Sequence, residues 1–477
     1  MRTTGAAWLW VGGATTLGLV LGCGGLPVGG LDGAVEVVEA EVPVAAAPEV
    51  PTGKVRNVLI VVADDLGTDK VAAYGEHPAP PRTPSLDQLA TEGVLFENAY
   101  GYPVGSASRA ALLTGRYGRR YGLGVGLHAD DTYELPLDEV LLPEMLTLAG
   151  EAWTSAALGK WDLSTPASST ALRHPLEQGF GHHAGALGNL SERGGSYERF
   201  EKSVDGELET VRTYATVDTT DDAIEQLNRL SSPWLLYVAY HAPHEPAHLP
   251  PKKLLGTEVS ADAPEADLLD AAVEALDHEL GRLLGAMSPK QREQTLVVFV
   301  GDNGTTRPAV RPPLDSTHGK SSLFEGGTNV PLIIRGPGVP AGQRTKALAH
   351  LVDVFPTVAE VSEVDLGRLQ RGGAPLVLDG VSLWPALLAP SGVGGRRFVY
   401  TEKFRPVGPG PYDIEWRAVR DDRYKVMDVG GSKPQVFELE GRFDDGVALR
   451  PAQLTPPEQE RFEDLMAELQ RLKDELE

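Results

Sequence analysis

Two pairs of hard oxygen donors stand at the ends of two apolar runs. Residues 57–63 read Asn-Val-Leu-Ile-Val-Val-Ala and stop at Asp64-Asp65-Leu66-Gly67. Residues 296–300 read Leu-Val-Val-Phe-Val and stop at Gly301-Asp302-Asn303-Gly304. An unbroken, β-branched apolar run reads as a strand buried on both faces, the pattern of a central parallel strand. Carboxylates at the carboxyl end of such a strand lie where open α/β sheets place their ligands. Taken singly, these aspartates serve equally well as turn or helix-capping residues. Together, Asp64, Asp65, Asp302 and Asn303 offer only oxygen, which suits Ca2+ or Mg2+ rather than Zn2+.

The elements that must position these groups are bounded by composition. The chain has 477 residues, a formal net charge of −24, 42% hydrophobic residues and one cysteine. That length accommodates one large domain or a few ordinary ones, with a core that needs no disulfides. The charge argues against nucleic acid, whose phosphates are bound by clustered Lys and Arg. It leaves room for a small anion, since a few buried cations make a local positive pocket. One cysteine excludes an intramolecular disulfide and a thiolate metal cluster.

That cysteine falls in the N-terminal segment. Arg2 precedes an apolar run over residues 6–21, which is too short and glycine-rich for a good membrane span and reads as a signal-peptide core. It ends Val20-Leu21-Gly22-Cys23, which resembles a bacterial lipobox. The expectation is an exported lipoprotein, acylated at Cys23 and held to a membrane, periplasmic or at the cell surface, by that anchor only. Residues 24–52, rich in Gly, Pro, Ala, Val and Glu, read as a flexible stalk, so folding is expected from residue 53. Alternating apolar runs and periodic helices over residues 53–375 predict an α/β domain, with a mostly parallel central sheet covered by helices on both sides. Residues 176–209, rich in Gly, His and charge, read as a long insertion at the pocket rim.

Further segments complete a pattern. These are residues 83–100, Arg109 to Arg116, Leu158-Gly159-Lys160-Trp161, Ala242-Pro243-His244-Glu245-Pro246, Gly319-Lys320 to Gly327, residues 350–357, 378–383 and 416–420. In this order and spacing, with the two strand ends, they resemble the sulfatases of the alkaline-phosphatase superfamily. The resemblance runs from about residue 57 to about residue 440, most of the chain. It implies that Asp64, Asp65, Asp302 and Asn303 hold one divalent cation, Ca2+ ahead of Mg2+. It implies that Arg109 steadies the nucleophile loop, and that Lys160, His244 and Lys320 contact the sulfate and leaving oxygens. It also implies a smaller C-terminal α+β subdomain over residues 376–477, with strands near 399–401 and 424–427. The last helix is legible directly: Thr455-Pro456-Pro457-Glu458 is a capping box, and Phe462, Leu465, Met466, Leu469, Leu472 and Leu476 repeat at helical spacing.

The chain departs from the family at the nucleophile. Members carry Cys-x-Pro-x-Arg, or Ser for that Cys, and oxidise the residue to formylglycine. Counting back from Arg109, that position is Gly105 and the proline position is Ala107. Glycine has no Cβ, so no formylglycine is expected. The family's Gly-Lys-Trp-His reads Gly159-Lys160-Trp161-Asp162, which puts a carboxylate where a His assists the nucleophile. Ser106 is a candidate displaced nucleophile, or else the N-cap of a helix beginning near Arg109. Water is a second candidate, with Asp162 as its general base. Two functions follow as expectations. One is metal-dependent hydrolysis of a small or glycan sulfate ester, or a related phosphate ester, with an atypical nucleophile. The other is an inactive homologue that binds a sulfated or other anionic ligand at the cell surface.

Overall fold

The computed structural model describes residues 53–392, 395–431, 433–440 and 443–476. The signal, lipobox and stalk expected over residues 1–52, Cys23 included, lie outside the described residues.

Ten strands form one sheet: β1 (Asn57–Ala63), β2 (Val94–Tyr100), β3 (Thr154–Gly159), β4 (His183–Gly185), β5 (Phe200–Val204), β6 (Glu207–Val211), β7 (Trp234–Ala239), β8 (Thr295–Gly301), β9 (Leu332–Arg335) and β10 (Gln343–His350). Their order is β10-β2-β9-β8-β1-β7-β3-β4-β5-β6. The five central strands β8-β1-β7-β3-β4 are parallel, while β9, β5 and β6 pair antiparallel with their neighbours. The sheet is therefore mixed, parallel at the centre and again in the β10-β2 pair at one edge.

Strand β1 shows why the centre is parallel. All seven of its residues are buried. Val58, Ile60 and Val62 join one core with Leu112, Leu113 and Phe355, from helices Gly105–Thr114 and Val354–Val361. Leu59, Val61 and Ala63 join the other core with Leu86, Leu276 and Leu280, from helices Pro84–Glu92 and Glu265–Ala286. Successive strand side chains point to opposite faces, so an unbroken apolar run needs helices on both. Each such side chain contributes about 1.5–3 kcal/mol on burial.

The segment 176–209, expected as a rim insertion, supplies β4 and β5 and leads into β6. Its few apolar residues belong to an edge extension with one exposed strand, since four of the five residues of β6 are exposed. A short hairpin, β11 (Gln370–Arg371) and β12 (Ala374–Pro375), leads toward a second, antiparallel sheet. That sheet runs β13 (Val399–Arg405), β14 (Ile414–Arg420), β15 (Tyr424–Asp428), β16 (Gln435–Glu438). Helix Pro456–Leu476 buries Leu465, Leu469 and Leu472 against Tyr400, Val419 and Val426 of this sheet. Its start is capped as expected, with Thr455 N donating to Glu458 Oε2 at 2.6 Å. No helix among the described residues is long and apolar enough to cross a membrane.

Candidate cation site and anion pocket

Parallel register brings the strand ends together. Ala63 of β1 pairs with Gly301 of β8, Val62 with Ala239 of β7, and Ala239 with Gly159 of β3. The residues that follow each strand therefore leave the sheet at one edge. Backbone bonds carry the ladder past the strand ends: Asp302 N donates to Ala63 O at 3.0 Å and Lys160 N to Ala239 O at 2.7 Å.

At that edge Asp64, Asp65, Asp302 and Asn303 are all buried. Asp65 has φ +66, so its backbone turns sharply after the strand, and its N–H donates to Asp302 Oδ1 at 3.0 Å. Asn303 Nδ2 donates to Asp65 Oδ1 at 2.8 Å. Arg109 reaches in from helix Gly105–Thr114, donating from Nε (3.2 Å) and Nη2 (2.9 Å) to Asp302 Oδ2 and from Nη1 to the Lys160 carbonyl. Lys160 Nζ donates to Asp64 Oδ2 at 2.5 Å, and Lys320 Nζ lies 2.6 Å from Asp65 Oδ1. Burial alone would raise the Asp64 carboxyl; Lys160, His244 and Arg109 hold it well below the usual range. Asp302 is pushed up to about 7 by burial and by its neighbour Asp64.

The donor set fits a hard cation. Asp64 Oδ1, Asp65 Oδ2 and Asn303 Oδ1 are buried with no hydrogen-bond partner. Buried polar atoms are nearly always paired, so three orphaned oxygens on adjacent residues point to a ligand that supplies the missing charge. His244 adds a nitrogen: its ligand atoms and those of Asp64 and Asp65 all lie within 4.8 Å of one another. The bond between His244 Nδ1 and the Glu245 carbonyl, 2.7 Å, leaves the Nε2 lone pair free, 3.8 Å from Asp65 Oδ2. Sequence reasoning gave His244 to the substrate; the structure sets it beside the carboxylates as well. Its neighbour His241 is an interior histidine, bonded to the Gly188 carbonyl and pushed down to about 3 by burial and Lys160.

Helix Gly105–Thr114 begins at Gly105, not near Arg109. Its N-cap is Val104, and Ser106, the second helical residue, does not cap it. Ala107, Ala110 and Ala111 favour the helix, and Gly115 at φ +69 ends it. The Ser106 hydroxyl is spent elsewhere: it donates to Asp162 Oδ2 and accepts from Leu127 N, both at 2.9 Å. Asp162 follows β3 with φ +62. A Cβ built on Gly105 would lie 2.9 Å from Asp302 Oδ2 and 3.2 Å from Asp162 Oδ2.

A cavity of about 580 Å³ opens onto these groups, lined by Gly105, Lys160, Asp162, His244 and Lys320. Three residues absent from the sequence reading join it. Asn189, in the glycine-rich loop after β4, accepts from Lys160 Nζ at 2.8 Å. Lys403 and Arg405 come from β13. Asn189 left no signal beyond its glycine-rich setting, and the two cations carry no motif at all.

A sheet covered on both faces, with hard donors and buried cations at its carboxyl edge, defines an α/β protein with a candidate cation site beside a pocket lined by lysines. The chain matches the family described as Sulfatase over residues 56–364. It is 32% identical over 378 residues to the N-acetylgalactosamine-6-sulfatase of Canis lupus familiaris, covering 72% of this chain and 67% of that one. It is 29% identical over 358 residues to the uncharacterized sulfatase YdeN of Escherichia coli, covering 69% and 60%. Among solved structures, Ps i-CgsB in complex with k-i-k-neocarrahexaose aligns with TM-score 0.72 and 25% identity, over 88% of this chain and 93% of that one. The chain belongs to the sulfatase family.

Proposed function

We propose that this family member recognises a sulfate ester on a carbohydrate through Lys160 and Lys320, beside a divalent cation, and works without a covalent nucleophile. The observation that carries this reading is Gly105. The direction its Cβ would take leads to Asp302 Oδ2 and Asp162 Oδ2, which supports residue 105 as the family's oxidised position. Glycine brings no atom there. Ser106, one residue on, is buried with its hydroxyl already committed to Asp162 and Leu127.

Asp64, Asp65, Asn303 and His244 would hold the cation, whose charge would stabilise the ester group's non-bridging oxygens; Asp302, expected among the ligands, has its oxygens taken by the Asp65 amide and Arg109. The chain's own contribution is positional. The Lys320 ammonium has three donors and spends one on Asp65, which leaves two for sulfate oxygens. Arg109 fixes Asp302 and the Lys160 carbonyl, and so the spacing of the pocket. A carbohydrate ester is supported by the relatives, named for N-acetylgalactosamine 6-sulfate, and by the neocarrahexaose bound in the structural neighbour.

A second reading, slow hydrolysis by water, is favoured by one observation. Asp162 Oδ2 lies 3.2 Å from the point a Gly105 Cβ would occupy. Water there would give its proton to Asp162 as its oxygen bonds to sulfur; the ester S–O bond breaks, and the leaving oxygen takes a proton from the Lys320 ammonium.

The test pairs turnover with binding. With Ca2+, the protein should bind a sulfated monosaccharide and leave a chromogenic aryl sulfate intact. Asp64→Ala should lose the binding. Gly105→Cys/Ala107→Pro made with the formylglycine-generating enzyme should turn the ester over, once Asp302 Oδ2 gives way to the new Cβ. Turnover by the unaltered protein that Asp162→Asn abolishes replaces the first reading with the second. Acylation at Cys23 is proposed as well; labelling the full chain with radioactive palmitate against Cys23→Ala tests it.

A further inference from the structure

The cations lining the pocket fall into two sets. Lys160 and Lys320 each contact a carboxylate of the cluster. Lys403 and Arg405 project from β13 of the second sheet into the same cavity and belong to no motif. Lys403 is half-buried. Its Nζ donates to the Ser321 carbonyl at 2.9 Å and lies 5.1 Å from the centre of the Trp416 ring. Among the described residues no carboxylate pairs with it, and the charges that act on it are those of Arg307 and Arg405. Burial, then these two cations, push its pKa down. Arg405 meets Asp413 at 3.2 Å, but both side chains are more than half exposed, at 56% and 65%. Such a surface pair neutralises little.

A chain with a net charge of −24 has no shortage of carboxylates to place beside a half-buried lysine. An ammonium taken partly out of water without a counter-ion costs stability, and the Ser321 carbonyl meets only one of its three N–H donors. The cavity, at about 580 Å³, exceeds what one sulfate group fills and lies in the range of about 300–1,000 Å³ that takes a drug-sized ligand.

We infer that Lys403, with Arg405 beside it, forms a second anion subsite in the pocket, so that the ligand is an oligosaccharide carrying a further sulfate or carboxylate beyond the ester read by Lys160 and Lys320. This rests on the sulfate-recognition reading above and adds to it the substrate class. The second anion takes hydrogen bonds from Lys403 Nζ and the Arg405 guanidinium. The Ser321 bond and the Trp416 face hold the ammonium in place. Ser321 has φ +71 and follows Lys320 directly, so one short turn ties the two subsites together.

The experiment is a calorimetric titration of the full chain with Ca2+ and three disaccharides. One carries a single sulfate and no carboxylate, one two sulfates, and one a single sulfate and a uronic acid. The wild type is expected to bind one or both doubly anionic sugars about tenfold or more tighter than the singly sulfated one, the scale of one charge-assisted hydrogen bond. Whichever sugar gains tells sulfate from carboxylate. Lys403→Gln should bring the ratio near one and flatten its salt dependence, and Lys403→Arg should restore both. A wild-type ratio near one, or a ratio unchanged in Lys403→Gln, overturns the second subsite. Failure to bind any of the three, or an affinity for the singly sulfated sugar that Lys320→Gln leaves untouched, overturns the sulfate reading itself and this inference with it.

Discussion

Two buried clusters in this molecule use the same residue types and end differently. One is the strand-end cluster of Asp64, Asp65, Asp302 and Asn303. The other lies where the main sheet meets the second one. There Glu325 Oε1 accepts from Lys425 at 3.0 Å, and Oε2 accepts from Tyr100 at 2.6 Å and from Arg420 at 3.2 Å. Lys425 also pairs with Asp445, whose Oδ2 accepts from Glu325 N at 2.5 Å. Both oxygens of Glu325 are met; Asp445 Oδ2 meets an amide, and its Oδ1, which makes no hydrogen bond, lies against the Lys425 ammonium. The strand-end cluster leaves three oxygens unmet. Burial and charge are alike in the two clusters; satisfaction is not. A satisfied network joins parts of a fold, while convergent unmet oxygens belong to a site that a ligand completes.

That contrast can be broken first on the structural side. Lys425→Met leaves Glu325 and Asp445 buried and poorly compensated, so denaturant unfolding should show a loss of about 3–5 kcal/mol. A loss under 1 kcal/mol would mean the second cluster is no more structural than the first. On the other side, saturating Ca2+ should stabilise the wild type by about 2.7 kcal/mol at a hundred times its dissociation constant. Asp64→Ala should abolish that gain, and in EDTA it should also cost stability, because it leaves the buried Lys160 ammonium without its nearest carboxylate. Equal Ca2+ stabilisation of both proteins would remove the cation from this cluster.

His183 sharpens the comparison as a control, because unmet polar atoms there need no ligand. It is buried with neither ring nitrogen bonded, and burial pushes it down to about 3. The neutral ring is the folded form. Below the unfolded value of about 6.5 the unfolded chain takes the proton first. Stability should therefore fall by about 1.4 kcal/mol per pH unit as pH drops from 6.5 toward 3. His183→Phe should flatten that slope in thermal unfolding between pH 6.5 and 5; an unchanged slope would mean the ring protonates in the fold. The smallest effect belongs to Ser106→Ala, which frees Leu127 N and Asp162 Oδ2 and should cost about 1–2 kcal/mol of stability. If native turnover is found and this variant alone removes it, Ser106 is the nucleophile after all.

What was legible in the sequence followed from local pattern. The apolar runs of β1 and β8 announced buried parallel strands, and the aspartates after them announced a hard-donor site. The capping box at Thr455 and the leucine spacing announced the last helix. Other features needed the folded chain. Residues 183–211 became edge strands, because a polar segment at a sheet's rim exposes one face and so carries no unbroken apolar run. The start of helix Gly105–Thr114 shifted, because burying Ala107 and Ala111 with Tyr102 and Val352 outweighs the weak helix preference of glycine and serine. His244 joined the carboxylates, and Asn189, Lys403 and Arg405 joined the pocket, by approaches across 29 positions of chain or more. Such separations leave no periodicity to read. The sequence by itself determined which groups emerge from the central strands, since that depends on each strand's own apolar pattern. Only the tertiary structure decided which of those groups are satisfied and which still lack a partner, because that depends on what other segments bring within hydrogen-bonding distance.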